Sequence, residues 1–164
     1  MDGFVTVDVI GVRVEMPSNS PIVLVRSPGD VLLPIWIGSG EAAAIAMALQ
    51  GVAPSRPLTH DLFVATLEQL GAPLRGVRIT RLDEQVFYGE LVLGGGTVVD
   101  CRPSDAIALA LRADAPIMVA HEVMAEAGIP MEDDSEPEDQ TEEVERFREF
   151  LDNVAPEDFE HGSV

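Results

Sequence analysis

The sequence contains no lysine and only one cysteine, one tryptophan and one tyrosine among its 164 residues. All ten basic residues are arginines, and 29 acidic residues oppose them, which gives a formal net charge of −19. This balance disfavours extended contact with a polyanion, because binding along a DNA or RNA backbone requires a basic surface. Any contact with nucleic acid is therefore expected to be local and mediated by arginine or by bridging cations.

The scarcity of cysteine and of long apolar runs excludes further classes of protein. A single cysteine, Cys101, cannot form an intramolecular disulfide and offers no spacing typical of a metal site. No apolar run is long enough to span a membrane, and residues 5–14 carry Asp8 and Arg13 without a cleavage signal. We therefore expect a soluble, cytoplasmic protein that does not contact a membrane.

Charge is distributed unevenly along the chain. Residues 132–164 hold 14 acidic residues and two arginines, whereas residues 1–131 hold 15 acidic residues and eight arginines. This change in composition predicts one domain over residues 1–131, followed by an acidic linker over residues 132–140. Residues 141–164 are predicted to form an acidic amphipathic helix and tail.

The predicted C-terminal helix has an apolar side with a heptad spacing, formed by Val144, Phe147, Leu151 and Val154. One helix of this length is marginal by itself in water. We therefore expect it to dock on the domain, on another subunit or on a protein partner.

Strands are predicted where apolar and polar residues alternate. Over residues 4–16 the apolar positions change from odd to even numbers at Gly11, which predicts one long strand with a β-bulge. Residues 22–25 and 31–37 are predicted to form a hairpin, with Pro34 marking the second strand as an edge or bulged strand. A further hairpin is predicted within residues 77–92. These strands predict a twisted, mostly antiparallel or mixed sheet.

Two hairpins are each followed by a short polar corner and an alanine-rich helix. The corners are residues 38–41 and residues 100–105, and helix segments 45–49 and 107–111 are identical at four of five positions. We infer an internal duplication of a strand–strand–helix unit. The fold class is therefore predicted to be α+β. Because both helices lack a polar stripe, both are expected to be buried.

The second corner combines acids, an arginine and a helix start. Pro103 suits the first helical position, and Ser104 and Asp105 are expected to cap the new helix. Asp100, Arg102 and Asp105 are thereby held where a strand becomes a helix, a place that can accept an anion. The alternative is a capped helix start with an internal arginine–carboxylate pair. Asp105 and Arg112 are the polar residues of the predicted helix and lie on roughly one face.

Arg56-Pro57 resembles Arg102-Pro103, and we call both arginine–proline corners. Arg56-Pro57 precedes a helix predicted over residues 60–70, with Thr59 as its N-cap and Gly71 as its end. His60 lies on the apolar side at the helix N-terminus, where the helix dipole favours neutral imidazole. A neutral histidine can act as a base or a ligand. The alternative is a histidine whose hydrogen bonds are satisfied within the core.

The chain resembles the bifunctional nuclease domain family over roughly residues 4–129. The resemblance rests on residues 33–38 with 41–42, residues 56–62 and residues 100–110. It implies an α+β fold with a twisted sheet, a tendency to oligomerise and nuclease action on DNA and RNA. The polar residues shared with the family map to Glu41, Arg56, His60, Asp61, Asp100, Arg102, Ser104 and Asp105.

The leading functional hypothesis is a nuclease that cleaves phosphodiester bonds in DNA or RNA. Phosphodiester cleavage requires an activated water, charge neutralisation on the phosphoryl oxygens and help for the leaving oxygen. Catalytic roles are assigned to Glu41, His60, Asp61, Asp100 and Asp105. Substrate binding is assigned to Arg56, Arg102 and Ser104. The carboxylates are also candidate ligands for a divalent cation such as Mg²⁺.

The alternative is a non-enzymatic regulatory or interaction module in which the arginine–proline corners are structural ion pairs. The acidic composition and the scarcity of stacking aromatics favour it, since nucleic-acid binders usually carry a basic surface. An open cleft lined by Glu41, His60 and Asp105 would favour the enzyme. Burial of Arg56 and Arg102 in carboxylate pairs without a cavity would favour the module.

Self-association is also expected. Two helices without polar faces need cover on both sides, which one domain of this size provides with difficulty. We predict a homo-oligomer, specifically a dimer formed through an apolar helix or a sheet edge. Light scattering that shows only monomer at micromolar concentration would contradict this prediction.

Overall fold

The computed structural model describes residues 3–131. The strands are β1 (Phe4–Glu15), β2 (Ser20–Arg26), β3 (Val31–Trp36), β4 (Leu74–Asp83), β5 (Val86–Leu93), β6 (Val98–Cys101), β7 (Ile117–Ala120) and β8 (Ile129–Pro130). The helices are α1 (Ser39–Leu49), α2 (Thr59–Gln69), α3 (Pro103–Ala113) and α4 (His121–Ala127), with a 3₁₀ turn at Gly94–Gly96. The predicted linker over residues 132–140 and helix over residues 141–164 lie outside the described residues.

The strands of this region form one mixed sheet in the order β6-β5-β4-β7-β1-β2-β3-β8. Neighbouring strands pair antiparallel, apart from β4 and β7, which run parallel. The α+β class and the mostly antiparallel sheet are therefore confirmed. Within the described part of the chain, each helix is too short or too polar to cross a bilayer.

The predicted internal duplication is present in the element order. The segments β2-β3-α1 and β5-β6-α3 are each an antiparallel hairpin followed by a helix. The repeat also extends one strand further, because β1 pairs antiparallel with β2 and β4 pairs antiparallel with β5. The two helix starts are thus equivalent positions of one repeated unit.

The predicted bulge in β1 is confirmed. Val9 pairs with Val25 and Gly11 pairs with Leu24, which leaves Ile10 as the extra residue. On the N-terminal side of the bulge β1 pairs mainly with β7, and on the C-terminal side it pairs with β2. Because a bulge bends its strand, β1 connects the two halves of the sheet at an angle.

Pro34 lies in a part of β3 that has a partner strand on one side only, as expected for a proline in an edge strand. It pairs with Leu24 of β2 on one side, whereas β8 pairs only with Val31 and Leu32 on the other side. Beyond Leu32 the outer side of β3 has no strand partner among residues 3–131. The missing N–H of proline therefore leaves no gap in a central ladder.

Helix α3 is the central element of the core. It contacts α1, α2, β4 and β5, and its residues Ala106, Ile107, Ala108, Leu109 and Ala110 are all buried. Alanine side chains allow neighbouring elements to approach closely on every side. The prediction of a buried second helix is confirmed.

Helix α1 does not match that prediction. Only Ala42 and Ile45 of α1 are buried, whereas Ala43 and Leu49 are exposed. The helix packs on α3, β1 and β2 with one side, and no described element covers the other side. The apolar composition of α1 therefore does not imply burial within this chain, and the predicted dimer stays a prediction.

The sheet curls around α3. Strand β6 is first and β3 is seventh in the strand order, so in a flat sheet they would lie about 29 Å apart. Yet the side chain of Arg102, directly after β6, contacts that of Glu41, in the first turn of α1 after β3. The curvature therefore brings the two repeated corners together.

Candidate active site

Arg102 joins the starts of α1 and α3. Its Nε donates a hydrogen bond to Asp105 Oδ2 at 2.7 Å, and its Nη2 donates to Asp105 Oδ1 at 3.1 Å and to Glu41 Oε1 at 3.0 Å. The Arg102 side chain is nevertheless 64% exposed. Among residues 3–131, no acceptor is hydrogen-bonded to its Nη1, so this nitrogen can donate to a ligand.

His60 completes the cluster from a third helix. It is the second residue of α2, and its Nε2 lies 3.4 Å from Asp105 Oδ1. The His60 side chain is 19% exposed and that of Asp105 is 29% exposed, so both are partly shielded from water. We call Arg102, Asp105, Glu41 and His60 the corner cluster.

Asp105 is the member of the corner cluster that contacts both a guanidinium and an imidazole. Burial by itself would raise the pKa of the Asp105 carboxyl, but hydrogen bonds from Arg102 and His60, together with their charges, outweigh burial and lower it. Asp105 is therefore an ionised carboxylate at neutral pH. Such a carboxylate orients the hydrogen-bond donors that face it.

The expected capping of these helices differs from the structure. Leu58, not Thr59, is the N-cap of α2, and its backbone N–H donates to Asp61 Oδ2 at 2.9 Å. Likewise no side chain caps α3, because Asp105 turns towards Arg102 instead of the helix N–H groups. In both helices the acid in the first turn accepts a hydrogen bond from the residue three positions before it, from the backbone of Leu58 in α2 and from the side chain of Arg102 in α3. The predicted end of α2 at Gly71 is confirmed by a φ of +71°.

A second ion pair holds the helices together. Arg112 Nε donates to Asp61 Oδ1 at 2.9 Å, and its Nη1 and Nη2 donate to the carbonyl oxygens of Ala108 and Ala44. The side chain of Arg112 is only 10% exposed. Because α2 packs beside α3, it presents Asp61 to Arg112. This pair connects α3 with α1 and α2.

Two cavities adjoin the corner cluster. The Trp36 cavity, of about 440 Å³, is lined by Ser20, Pro21, Ile35, Trp36, Ile37, Gly38, Gln85, Val86, Phe87, Arg102, Pro103 and Ser104. The Phe63 cavity, of about 640 Å³, is lined by Thr59, His60, Phe63, Val86, Phe87, Tyr88, Leu91, Val99, Asp100, Cys101, Arg102, Asp105 and Leu109. Arg102 lines both cavities, and His60 and Asp105 line the second.

Gly38 makes room for the cluster. A Cβ atom at this position would collide with the carboxylate of Glu41. Glycine therefore allows Glu41 to fold back over the start of α1, the position from which it reaches Arg102. Gly38 therefore has a packing role at the site.

The eight predicted site residues fall into four groups. Glu41, His60, Arg102 and Asp105 form the corner cluster, and Asp100 and Ser104 line a cavity without joining it. Asp61 is engaged by Arg112 and by the start of α2. Arg56 is exposed in the loop before α2, and no described residue forms an ion pair with it.

The aromatic residues around the cluster were not identified from the sequence. The sequence predicts only strands and a helix for the aromatic residues Trp36, Phe63, Phe87 and Tyr88. In the structure, each of them lines a cavity beside Arg102. Their side chains come from separate elements, so no local motif links them. The available signal was the placement of the one tryptophan two residues before the first polar corner.

Cys101 also lines the Phe63 cavity but is not a nucleophile. Burial, reinforced by the negative charges of Asp105, Asp100 and Glu90, raises the pKa of its thiol to about 12. Because the thiolate is the reactive form, this cysteine stays protonated and inert at neutral pH. The chemistry of the cavity therefore depends on its histidine, arginine and carboxylates.

The corner cluster does not have the form of a metal site. Both oxygens of Asp105 and one oxygen of Glu41 accept hydrogen bonds from the guanidinium of Arg102. Within residues 3–131, no group of three or more His, Cys, Asp or Glu side chains is arranged to hold a metal ion. As arranged, these oxygens hold an arginine instead of a divalent cation, and the predicted Mg²⁺ stays a prediction.

Comparison with known proteins shows what this region is similar to. The family model described as "Bifunctional nuclease domain" matches residues 22–132, which include every member of the corner cluster. An uncharacterized protein of Mycobacterium tuberculosis is 50% identical over 158 residues, covering 93% of this chain and 96% of the relative.

Plant relatives are more distant. Bifunctional nuclease 2 of Arabidopsis thaliana is 32% identical over 108 residues, covering 62% of this chain and 33% of the relative. Bifunctional nuclease 1 of Oryza sativa subsp. japonica is 28% identical over 127 residues, covering 74% of this chain and 38% of the relative. The matched part of this chain thus corresponds to between a third and two fifths of these plant proteins.

Proposed function

Because the chain belongs to the bifunctional nuclease domain family, we propose that it is a nuclease that hydrolyses phosphodiester bonds at the corner cluster. The observation that carries this proposal is the exposed guanidinium of Arg102 beside the His60–Asp105 pair, at the wall of two cavities. Hydrolysis requires a group that binds the phosphate of the substrate and a general base that activates water, and both must lie at one place. The corner cluster contains a candidate for each.

Arg102 is proposed to bind the phosphate. Its planar guanidinium is held by Asp105 and Glu41 and keeps a free edge at Nη1. Guanidinium groups bind phosphoryl oxygens in a fixed geometry and neutralise the charge that develops on them. Because the side chain is already oriented in the free protein, little ordering is required when substrate binds.

His60 is proposed to act as the general base. When its Nε2 carries the proton shared with Asp105, Nδ1 keeps a lone pair that can take a proton from water. The oxygen of that water then bonds to phosphorus as the bond to the leaving oxygen breaks. The proton held by His60 returns to the leaving oxygen, and the Asp105 carboxylate stabilises the intermediate imidazolium.

Asp100 and Ser104 are proposed to contact the substrate beside the cluster, and Arg56 to contact its backbone further away. Asp100 is exposed on β6 and lines the Phe63 cavity, whereas Ser104 is buried and lines the Trp36 cavity. Asp61 is proposed to support the site indirectly, because it is bound to Arg112 and positions the start of α2, where His60 lies.

The alternative of a binding module without turnover draws support from the ion pairs that partly engage Arg102. However, Arg102 is largely exposed and an open cavity is present, whereas the ion pair that is largely shielded from water is that of Arg112 with Asp61. These features favour the enzyme over the module. DNA or RNA is the proposed substrate class of the enzyme.

Replacing His60 by glutamine is expected to lower cleavage of nucleic acid by about 10²-fold, because removing a general base typically costs this factor or more. The measurement is cleavage of fluorescent DNA and RNA oligonucleotides by purified protein, with Mg²⁺ and with EDTA. His121→Gln is the matched control, since His121 is exposed at the start of α4.

Equal cleavage by both histidine variants would show that His60 is not the base, or that a contaminant performs the reaction. An absence of cleavage by the wild-type protein under all conditions would support the module instead.

A further inference from the structure

The Trp36 cavity and the Phe63 cavity are neighbours with a common wall. Val86, Phe87 and Arg102 line both of them. Their volumes, about 440 and 640 Å³, fall in the range of small-molecule sites, and each has room for a nucleobase and its sugar. The exposed Arg102 guanidinium therefore lies between two separate compartments.

The Trp36 cavity contains a fixed aromatic ring. Trp36 is 54% exposed, although tryptophan is usually well buried. Its Nε1 donates a hydrogen bond to Glu15 Oε2 at 2.8 Å, which holds the indole in place without covering it. An exposed ring with a fixed orientation is a suitable surface on which a nucleobase can stack.

The Phe63 cavity also carries an exposed aromatic side chain. Phe63 of α2 is 45% exposed, and Tyr88 of β5 lines the same cavity. Polar groups at this cavity include the Asp100 carboxylate, which can accept hydrogen bonds from the amino group of a base. The two cavities therefore provide similar stacking surfaces on either side of Arg102.

Building on the proposed nuclease function, we infer that the substrate is a single strand, bound by one phosphodiester at Arg102 with its two flanking bases in separate cavities. The phosphate lies between the two nucleosides that it links, just as Arg102 lies between the two cavities. This assignment uses the aromatic residues that the catalytic proposal leaves without a role.

A double helix does not fit this arrangement. Neighbouring bases in a duplex stack about 3.4 Å apart along the axis and are paired at their edges. In the site, Val86, Phe87 and Arg102 line both cavities, so bases in the two cavities are not stacked on each other. Both bases would have to leave the stack and their pairing partners, which costs free energy in a duplex and little in a single strand.

The charge of the chain favours few phosphate contacts. Residues 1–131 carry 15 acidic residues against eight arginines, so phosphates beyond those at Arg102 and Arg56 meet a negatively charged surface. Affinity that depends on one or two phosphates should fall slowly with salt, with a slope of log K against log salt between about −0.7 and −1.4. Stacking of bases then supplies much of the binding.

Trp36 is the one tryptophan of the chain, so its fluorescence reports on this cavity alone. The probe is a 16-nucleotide strand with phosphorothioate linkages, which keep the charge and slow hydrolysis. We expect the single strand to quench Trp36 fluorescence and its duplex to bind about tenfold more weakly or worse. An abasic strand of equal length should produce no quenching, because quenching requires a stacked base.

Variants test the second cavity. Phe63→Ala is expected to weaken binding of the single strand by about tenfold, the usual cost of losing one stacking contact. Leu70→Ala is the control, because Leu70 is 74% exposed, lies at the end of the same helix and lines neither cavity. Circular dichroism checks that both variants remain folded.

The outcomes separate this inference from the proposed function. Cleavage of a duplex as fast as a single strand, with no quenching of Trp36, overturns the inference while the nuclease proposal stands. Quenching by the single strand without cleavage by the wild-type protein overturns the nuclease proposal and supports the placement of the bases. A salt slope of −3 or steeper also overturns the inference, since it requires several phosphate contacts.

Discussion

Replacing Asp105 by asparagine is expected to lower kcat for oligonucleotide cleavage by about 10³–10⁴-fold, the cost of misorienting a catalytic histidine. The carboxylate of Asp105 accepts hydrogen bonds from Arg102 and faces His60 Nε2. An asparagine side chain has one acceptor oxygen and a donor amide, so it cannot serve both partners. The phosphate-binding group and the base therefore lose their orientation together.

The matched control for this variant is Asp114→Asn. Asp114 is exposed at the end of the same helix and has a φ of +50°, a conformation that asparagine tolerates as well as aspartate. Steady-state kinetics of the two variants and the wild type provide the comparison. Similar kcat values for all three proteins would show that Asp105 has no part in the reaction.

The same variant has a characteristic pH dependence of stability. The pKa of Asp105 is lowered in the folded protein, because the hydrogen bonds from Arg102 and His60 outweigh the opposing effect of burial. A lowered folded-state pKa stabilises the fold above the unfolded-state pKa, and this contribution is lost as pH falls through the folded-state value. The difference in unfolding free energy between wild type and Asp105→Asn should therefore shrink at acidic pH.

Replacing Arg112 by methionine is expected to destabilise the fold by about 3–5 kcal/mol, the usual cost of breaking a buried ion pair from one side. The side chain of Arg112 is 10% exposed and donates to Asp61 and to carbonyl oxygens of α1 and α3. Methionine fills much of the volume but leaves these acceptors unpaired. Thermal unfolding should shift down by roughly 6–20 °C in a domain of this size.

An exposed ion pair provides the comparison for Arg112. Arg81 and Asp83 form a pair with side chains that are 53% and 61% exposed. Asp83→Asn should change the free energy of unfolding by less than about 1 kcal/mol, because water replaces an exposed partner at little cost. Equal stability losses in Asp83→Asn and Arg112→Met would contradict a structural role for Arg112.

Local features of the fold could be predicted because they are encoded over a few residues. The apolar positions of β1 change from odd to even numbers at Gly11, which predicts the bulge, and Gly71 predicts the end of α2. The prediction of Thr59 as the N-cap was wrong, because Leu58 is the N-cap and its backbone N–H donates to Asp61. The burial of α1 was also wrong, since composition does not show which sides of a helix other elements cover.

The candidate site could be predicted only in part, for a related reason. The contact between Arg102 and Asp105 spans three residues along the chain, so the corner itself suggested it. The partners Glu41 and His60 lie 61 and 45 residues away from Arg102 and Asp105, respectively, and join only because the sheet curls around α3. The ion pair between Arg112 and Asp61 likewise depends on how α2 packs beside α3.

The central claim is that Arg102 binds the scissile phosphate, and the most direct test compares Arg102→Met with Arg75→Met. Arg75 is an exposed arginine of β4 that lines neither cavity, so its replacement controls for the loss of one positive charge. The measurement is kcat/KM on one single-stranded oligonucleotide. We expect a loss of about 10²-fold or more for Arg102→Met and a change below about twofold for Arg75→Met. Equal kcat/KM values for the two folded variants would contradict the assignment of the phosphate to Arg102.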